Sequence, residues 1–148
     1  AAYFYRRSQK GGFDAVLMTQ GMESIKANIE SIETNENATD KDEDLLTTME
    51  VVYEYYLRGF DFQPIDIYKS HATKFLVEDG KILPPFVAIS GLGENAAWDL
   101  MRGREGKTFL SIEEVAAACP KVSKTHIQML KDAGAFGSLP DTSQISLF

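Results

Sequence analysis

Two glycines in the second half of the chain are the residues best placed to do chemistry, and that chemistry is anion binding. They lie in the run Ile89-Ser90-Gly91-Leu92-Gly93, which is followed by small and apolar residues at helical spacing. Glycine lets backbone N–H groups approach an anion without a Cβ in the way, and a helix N-terminus favours phosphate. The pattern predicts a tight turn that presents N–H groups to a phosphate. A plain turn between two packed helices is the alternative.

The last five residues form a second pattern with a specific chemistry, and they are Gln144, Ile145, Ser146, Leu147 and Phe148. They follow a polar loop at 138–143 that we expect to be disordered or extended. An exposed tail that ends in Leu-Phe has no core of its own to fill, so the pattern predicts docking into a groove of a partner protein. The alternative is a tail that folds back onto its own domain.

Catalytic constellations are not visible in the sequence. There is no glycine-rich phosphate loop, nucleophile elbow or zinc spacing. His71 and His126 lie far apart, and neither has a cysteine or carboxylate at ligand spacing. The acidic residues at 40–44 lack the alternation and central glycine of a calcium loop, so they indicate a solvated helix start. We therefore expect no catalytic residue, metal site or cofactor in this chain.

Length and composition describe an ordinary globular chain. It has 148 residues, 44% of them hydrophobic and 25% charged, which suits one domain with a sizeable core. No apolar run is long enough to cross a membrane, and no secretion signal is visible. One cysteine, Cys119, excludes an internal disulfide and fits a reducing cytosol. The chain has no initiator methionine and opens as if inside a helix, so we expect it to be a piece of a longer polypeptide.

The net charge of −7 is unevenly distributed along the chain. Residues 1–54 carry 5 Lys and Arg against 11 Asp and Glu, whereas residues 55–148 carry 10 against 11. Phosphate affinity comes from neutralising cations, so bulk charge does not favour nucleic acid. Local basic clusters in a nearly neutral second part still permit it, provided that the acidic stretch from Glu30 to Asp44 faces away.

Apolar periodicity predicts a mainly α fold. The clearest helix has Leu45, Met49, Val52 and Tyr56 on one face. Two short apolar runs around Glu78-Asp79-Gly80 predict a small β-hairpin. After the glycines we expect a helix, a flexible basic connector at 102–107, and a capping box at Ser111 that starts another helix. A second, degenerate turn follows, with Ser123 and Lys124 where the first has glycines.

The run from Pro84 to Leu100 resembles the helix–hairpin–helix DNA-binding motif, whose signature is an apolar residue, Gly-x-Gly and then a small-residue helix. Ile89, Leu92, Ala96 and Ala97 occupy the apolar and small positions. The resemblance implies binding of duplex DNA without sequence specificity, more through the first turn than the second. The DNA-binding residues it implies are Gly91, Leu92, Gly93, Asn95, Arg102, Arg104, Lys107 and Lys124.

The tail is similar to the bacterial sliding-clamp-binding peptide, Gln-x-Ser/Asp-Leu-Phe, with Gln144 at the rim of the clamp pocket and Leu147 and Phe148 inside it. Together with Ala1-Ala2-Tyr3-Phe4 and the segment from Arg58 to Phe75, this resembles the C-terminal end of a PolC-type bacterial DNA polymerase III alpha subunit. The resemblance implies a nucleotidyltransferase parent, active in DNA replication, that transfers phosphoryl groups from dNTPs with Mg²⁺. Its three catalytic aspartates would lie in a palm domain N-terminal to this chain, so the fragment alone is expected to be inactive.

The same resemblance implies a division of the chain and a set of partners. Residues 1–81 would be the distal fingers, 82–139 a tandem helix–hairpin–helix domain, and 140–148 a flexible tail. The partners would be duplex DNA, the sliding clamp (beta subunit) and the rest of the polymerase, in a cytoplasmic, nucleoid-associated replisome. The alternatives are a free-standing helix–hairpin–helix adaptor of repair or recombination that binds the clamp, and a DNA glycosylase. The latter lacks its catalytic Lys or Asp here.

Overall fold

Polar caps and glycines divide the chain into short helices, as the sequence predicts. The computed structural model describes residues 2–9 and 13–142. The helices in that part of the chain are α1 Ala2–Gln9, α2 Ala15–Met18, α3 Met22–Glu33, α4 Asp40–Leu57, α5 Glu94–Arg104, α6 Ile112–Ala118 and α7 Lys124–Asp132. A 3-10 helix covers Phe86–Ala88, and the strands are β1 Leu76–Glu78 and β2 Lys81–Leu83. The predicted mainly helical fold with a small β-hairpin is confirmed.

An aromatic cluster joins the first helix to the middle of the chain. The fully buried Phe4 ring packs edge-on against Phe13 at 5.3 Å and against Tyr55 of α4 at 5.1 Å, measured between ring centroids. Phe62 and Phe75 complete the cluster at 5.6 and 5.9 Å from Phe4. Edge-to-face pairs add stability beyond the burial of their area, so the short α1 is held by packing and not by its own length.

The acidic start of α4 is a capped helix terminus. The Thr39 hydroxyl accepts a hydrogen bond from the Asp42 N–H, and the Asp42 carboxylate accepts one from the Thr39 N–H. These reciprocal bonds satisfy two of the donors that a helix start leaves free. α3 and α4 pack against each other, and a break at Gly21, with φ at 101°, separates α3 from α2. α4 begins at Asp40, so the acidic residues at 40–44 lie at its start, as the sequence predicts.

The β-hairpin connects the two halves of the chain. β1 and β2 pair antiparallel, with Leu76 opposite Leu83, around the two-residue turn Asp79-Gly80. Both turn residues have positive φ, 52° and 76°, which matches the right-handed twist of a hairpin. Phe62 forms an isolated bridge to Ile82 on the other side. The predicted domain division at residue 81 falls inside this hairpin, and one core cluster extends across it; the division stays a prediction.

The helix α5 is longer than the sequence analysis expected. Residues 102–104 belong to its last turn, so the prediction of a flexible connector that begins at Arg102 is wrong. Gly103, in this last turn, lies against the C-terminal end of α6. A Cβ at Gly103 would overlap the Cys119 Sγ atom and lie 2.8 Å from the Ala118 carbonyl oxygen. Only glycine permits this close approach of the two helices.

Residues that follow α7 form hydrogen bonds with the start of α6. The Ser111 hydroxyl accepts a hydrogen bond from the Glu114 N–H, as predicted. The Glu114 carboxylate accepts from the Leu110 N–H and not from Ser111, so the expected capping box is incomplete. The Pro140 carbonyl accepts from the Ile112 N–H at 2.9 Å, and the Asp141 carbonyl accepts from the Glu113 N–H at 3.1 Å. Residues 140 and 141 are therefore attached to α6.

The five predicted clamp-binding residues, Gln144 to Phe148, lie outside the described residues. Of residues 2–9 and 13–142, no helix combines the length and the apolar character that crossing a membrane requires.

Replacing Gly103 with alanine should destabilise the fold by about 1–3 kcal/mol, because the new Cβ forces α5 and α6 apart. Urea unfolding followed by circular dichroism measures the change. Ala97→Gly, at a buried position on the same helix, is the comparison for a change of one methyl group. If Gly103→Ala unfolds at the same urea concentration as the parental chain, the close contact between the helices does not exist.

Candidate nucleic-acid interface

The first glycine turn leads directly into α5. The Leu92 N–H donates to the Ile89 carbonyl at 3.1 Å, and the Ala97 N–H donates to the Gly93 carbonyl at 3.0 Å. Gly91 has φ at 93°, a conformation that other residues adopt only with strain. Leu92 is buried, whereas both glycines and Asn95 are exposed. The turn therefore anchors itself through one apolar side chain and presents backbone to solvent.

A second turn of the same geometry follows 30 residues later, between α6 and α7. The Val122 N–H donates to the Cys119 carbonyl at 3.0 Å, and Ser123 has φ and ψ of −80° and 170°. The corresponding values of Gly93 are −80° and 171°. The degenerate second turn is thus present, but its predicted register is wrong. Lys121 and Ser123, and not Ser123 and Lys124, stand where the first turn has its glycines.

The two turns hold each other through reciprocal contacts. The buried Asp99 of α5 accepts a hydrogen bond from the Lys121 N–H of the second turn through Oδ2, at 2.8 Å. In return Met129 of α7 packs on the first turn, where a Cβ at Gly91 would lie 2.8 Å from its Cε. Asp99 and Met129 are again 30 residues apart. The pair of turns therefore forms one unit with approximate twofold symmetry.

The two helix starts differ in how their N–H groups are used. At α7, Ser123 and His126 form a complete capping box, with both hydrogen bonds at 3.2 Å. At α5 no side chain caps the helix. Within the described part of the chain, no acceptor meets the N–H groups of Gly93, Glu94 or Asn95. The start of α5 therefore offers free donors, aligned with the helix dipole, to an external anion.

The predicted basic residues have different surroundings. Arg102 is exposed and loosely paired with Asp99, with 3.4 Å between Nη2 and Oδ1. Lys107 and Lys124 are exposed. Arg104, in contrast, points inward: its Nη1 donates to the Ile67 carbonyl at 3.1 Å. The structure thus leaves three of the four predicted cations accessible. Their role in binding, like that of the glycines, stays a prediction.

Burial is the main cause of the pKa shifts of Arg104, Cys119 and His71. It lowers the pKa of Arg104, whose guanidinium also lies over the Phe86 ring at 5.7 Å. Burial raises the pKa of the Cys119 thiol to about 11, with Asp99 adding to the rise, so the thiol stays protonated and unreactive. Burial also lowers the pKa of His71 below its ordinary value of 6.5, and Lys74 lowers it further. His71 is therefore neutral at neutral pH.

Within residues 2–9 and 13–142, no group of three or more His, Cys, Asp or Glu side chains is placed to hold a metal ion.

Glu94 is exposed in the first turn of α5. Its negative charge repels an anion at that helix start. Anion binding there therefore depends on backbone donors and on cations further along the chain.

Comparison with known proteins identifies this pair of turns. A family model described as the helix-hairpin-helix motif matches residues 59–145, more than half of the chain, including both turns and the helices α5 to α7. The chain belongs to the helix–hairpin–helix family. We call residues 89–93 the first hairpin and residues 119–123 the second hairpin.

Relatives of this helix–hairpin–helix protein match it along its whole length. A protein of Bacillus cereus (strain ATCC 14579) named DNA polymerase III PolC-type is 42% identical over 149 residues, which is 100% of this chain. Proteins of the same name from Streptococcus suis (strain 98HAH33) and Thermotoga petrophila (strain RKU-1) are each 41% identical, over 99% and 100% of the chain. The chain spans only 10–11% of the length of these relatives. The predicted resemblance to PolC-type polymerases is confirmed.

Sequence reasoning missed Asp99, Lys121 and Met129. A signal for them existed, because apolar residues recur at a spacing of 30 in both hairpins, as in Leu92 and Val122 or Leu100 and Leu130. Aligning the chain with itself at that spacing places Lys121 opposite Gly91. It does not reveal that Asp99 is buried, which is a tertiary contact.

Removing the Asp99 carboxylate should destabilise the unit, because the Lys121 N–H loses its acceptor. We expect Asp99→Ala to lower the free energy of unfolding by about 1–3 kcal/mol. Asp99→Asn should cost less, since an amide oxygen can still accept that hydrogen bond. Arg102→Ala is the control for the ion pair alone and should change stability by no more than about 1 kcal/mol. Equal stabilities of the Asp99→Ala and Arg102→Ala chains, measured by urea unfolding, would contradict the role of Asp99.

Proposed function

We propose that this chain binds duplex DNA without reading its sequence, with the first hairpin holding a backbone phosphate. The N–H groups at Gly93, Glu94 and Asn95 would donate to the phosphate oxygens, and the dipole of α5 would favour its charge. Such contacts position a protein on the duplex without carrying sequence information. This is the function that the geometry of the hairpins supports best.

The observation that carries the proposal is the difference between the two helix starts. In the second hairpin the N–H groups of Ser123 and His126 are each hydrogen-bonded to the other residue's side chain, whereas the first hairpin has Gly93 in place of Ser123 and no side-chain cap. Two turns of the same backbone geometry thus differ in how many N–H groups they leave for a phosphate and in whether a side chain already occupies the helix start. The second hairpin would then contribute mainly through lysine side chains, of which Lys124 and Lys121 are exposed.

Charged side chains would add to binding locally. Arg102 lies two turns along α5 from the free N–H groups, and Lys107 follows the end of that helix. Because the chain as a whole is acidic, binding would depend on these few cations, and the acidic stretch from Glu30 to Asp44 would face away from DNA. Arg104, held by the Ile67 carbonyl, would support the fold and contact DNA little.

Replacing Gly93 with serine should separate DNA binding from stability. Gly93 has a φ that any residue adopts, and nothing lies within 4 Å of a Cβ there. A serine would cap α5 as Ser123 caps α7 and stabilise the chain by a few tenths of a kcal/mol. The new hydroxyl would compete with the phosphate, so we expect duplex affinity to fall about tenfold or more. Fluorescence anisotropy of a labelled duplex measures affinity, and thermal unfolding measures stability.

Salt and sequence provide the controls for that experiment. Affinity of the parental chain should fall steeply as salt rises, with a slope of about 0.9 per neutralised phosphate in a plot of log K against log salt, and should not depend on base sequence. Arg58→Ala removes an exposed arginine that pairs with Glu54 on α4 and should leave binding unchanged. A flat salt response, or a Gly93→Ser chain that binds as tightly as the parental one, would contradict the phosphate site.

The relatives favour a replicative polymerase as the setting for this activity. We propose that the chain is the C-terminal part of a PolC-type DNA polymerase III, cytoplasmic and nucleoid-associated, that holds duplex DNA behind the site of synthesis. Mg²⁺ and the catalytic aspartates of such an enzyme would lie outside this chain. Because those aspartates would lie in another part of the polymerase, no step of nucleotidyl transfer is assigned to this chain, and the chain alone would be inactive.

The tail would supply a second attachment, to the sliding clamp. The Gln144-Ile145-Ser146-Leu147-Phe148 pattern supports this through its polar first residue and its terminal pair of apolar residues. Linking two weak contacts raises the effective concentration of each. The duplex-binding unit and the tail together would give processive synthesis without a tight grip on DNA.

The clamp proposal predicts that removing residues 144–148 abolishes binding to a purified bacterial sliding clamp. We expect micromolar affinity for the parental chain, because a short peptide motif buries little surface. Substituting both Leu147 and Phe148 with alanine should have the same effect as truncation, and Ser143→Ala is the control just outside the motif. Surface plasmon resonance on immobilised clamp measures the affinity. Binding that survives truncation would mean that the tail is not the ligand, and DNA binding serves as the check that the shortened chain is folded.

A further inference from the structure

The exposed face of α5 carries a stripe that none of the contacts above explain. Asn95, Trp98 and Arg102 lie at helical spacings of three and four, so they share one face. The stripe starts at the free N–H groups of the first hairpin. Its centre is Trp98, the single tryptophan of the chain, whose side chain is 40% exposed. One exposed apolar residue is ordinary, but this one continues directly from the phosphate site.

A neighbouring histidine holds the indole in place. The rings of Trp98 and His71 meet edge to face, with 5.2 Å between centroids and 81° between planes. His71 is itself fixed, because its Nδ1 accepts hydrogen bonds from the N–H groups of Thr73 at 3.0 Å and Lys74 at 3.1 Å. An aromatic ring that is fixed before binding loses little conformational freedom when it meets a ligand. The stripe is therefore a preorganised surface.

The charges around the indole suit the nucleic-acid backbone only in part. Lys74, exposed, lies next to His71, and Arg102 lies one turn further along α5. Glu94 and Glu105 border the other side of the stripe and oppose phosphate. The indole thus lies between a basic and an acidic edge. Its own contact has to be with an uncharged part of the ligand.

We propose that Trp98 packs against the deoxyribose edge of the DNA strand whose phosphate the first hairpin binds. The inference rests on the proposed duplex binding and adds a specific contact to it. Trp98 lies about 4.5 Å along the helix axis from Asn95, and successive nucleotides rise about 3.4 Å. The sugar next to the bound phosphate is therefore within reach. The C–H face of deoxyribose is uncharged, largely apolar and the same in every nucleotide, so the contact strengthens binding without reading sequence.

Trp98 reports on its own contact, because no other tryptophan is present in the 148-residue chain. The experiment titrates the parental chain with a fluorescein-labelled duplex and records two signals, the anisotropy of the DNA and, with unlabelled duplex, the emission of Trp98 with acrylamide as quencher. We expect emission to change in step with anisotropy and acrylamide quenching to fall in the complex. Neither signal requires a substitution, so misfolding of a variant cannot produce the result.

Substitutions then test the contribution of the contact to affinity. Trp98→Ala should weaken duplex binding about tenfold through lost apolar burial, and Trp98→Phe should restore part of it. The salt slope should stay unchanged in both, because an indole displaces no counterions, whereas Arg102→Ala should reduce it by about 0.9. Phe60→Ala, which removes an exposed aromatic ring after the end of α4, is the matched control. Circular dichroism checks that each variant is folded.

The outcomes separate this inference from the proposed function. If the duplex binds but Trp98 stays equally open to acrylamide, or if Trp98→Ala binds as tightly as the parental chain, the Trp98 contact is wrong and duplex binding stands. Shielding that appears without DNA, when another protein is added, would assign the stripe to a protein partner and overturn the contact as well. If no duplex binds even at low salt, the proposed function fails first.

Discussion

A single buried carboxylate, that of Asp99, fixes the geometry on which the paired hairpins depend. It is 7% exposed and reaches from the middle of α5 to the N–H of Lys121 in the other hairpin. A buried polar group is costly unless it is paired, so this bond is satisfied only when the hairpins sit side by side. The contact between Met129 and Gly91 repeats the same relation with an apolar side chain. One half of the unit is held by a hydrogen bond and the other by packing.

Because these contacts hold the unit together, the two hairpins can differ in the residues of their turns. The backbone at Gly93 and Ser123 has almost the same dihedral angles, so the sequence differences do not change the shape of the turn. They change which N–H groups at the helix start remain available to a ligand. Serine caps its own helix and gains stability, while glycine forgoes the cap and leaves donors for a ligand. In a unit with approximate twofold symmetry, one copy can therefore serve stability and the other binding.

The sequence predicted well what depends on local chemistry. The Asp79-Gly80 hairpin, the acidic start of α4 and the Ser111 cap each follow from a few neighbouring residues and are present in the structure. The errors arose where a tertiary contact decides. Glycine and arginine at 102–104 suggest a flexible connector, but Gly103 is glycine because α6 lies against it. A tertiary contact also involves Arg104, which the sequence predicts to bind DNA: its guanidinium donates to the Ile67 carbonyl in the fold, and its role in binding stays a prediction.

The acidic composition of the chain is compatible with the proposed DNA binding because the proposed binding groups are backbone donors with fixed positions. Long-range attraction by net charge is absent at −7, so encounter with DNA gains little from electrostatic steering. What remains is short-range: free N–H groups at one helix start, a few cations and one fixed indole. Under the proposed function, such a surface would bind weakly by itself and release DNA readily. A protein that must move along a duplex as it works benefits from that weakness, provided that a second attachment keeps it close. The proposed combination of a modest duplex-binding unit and a clamp-binding tail is thus physically coherent, since each part would supply what the other lacks.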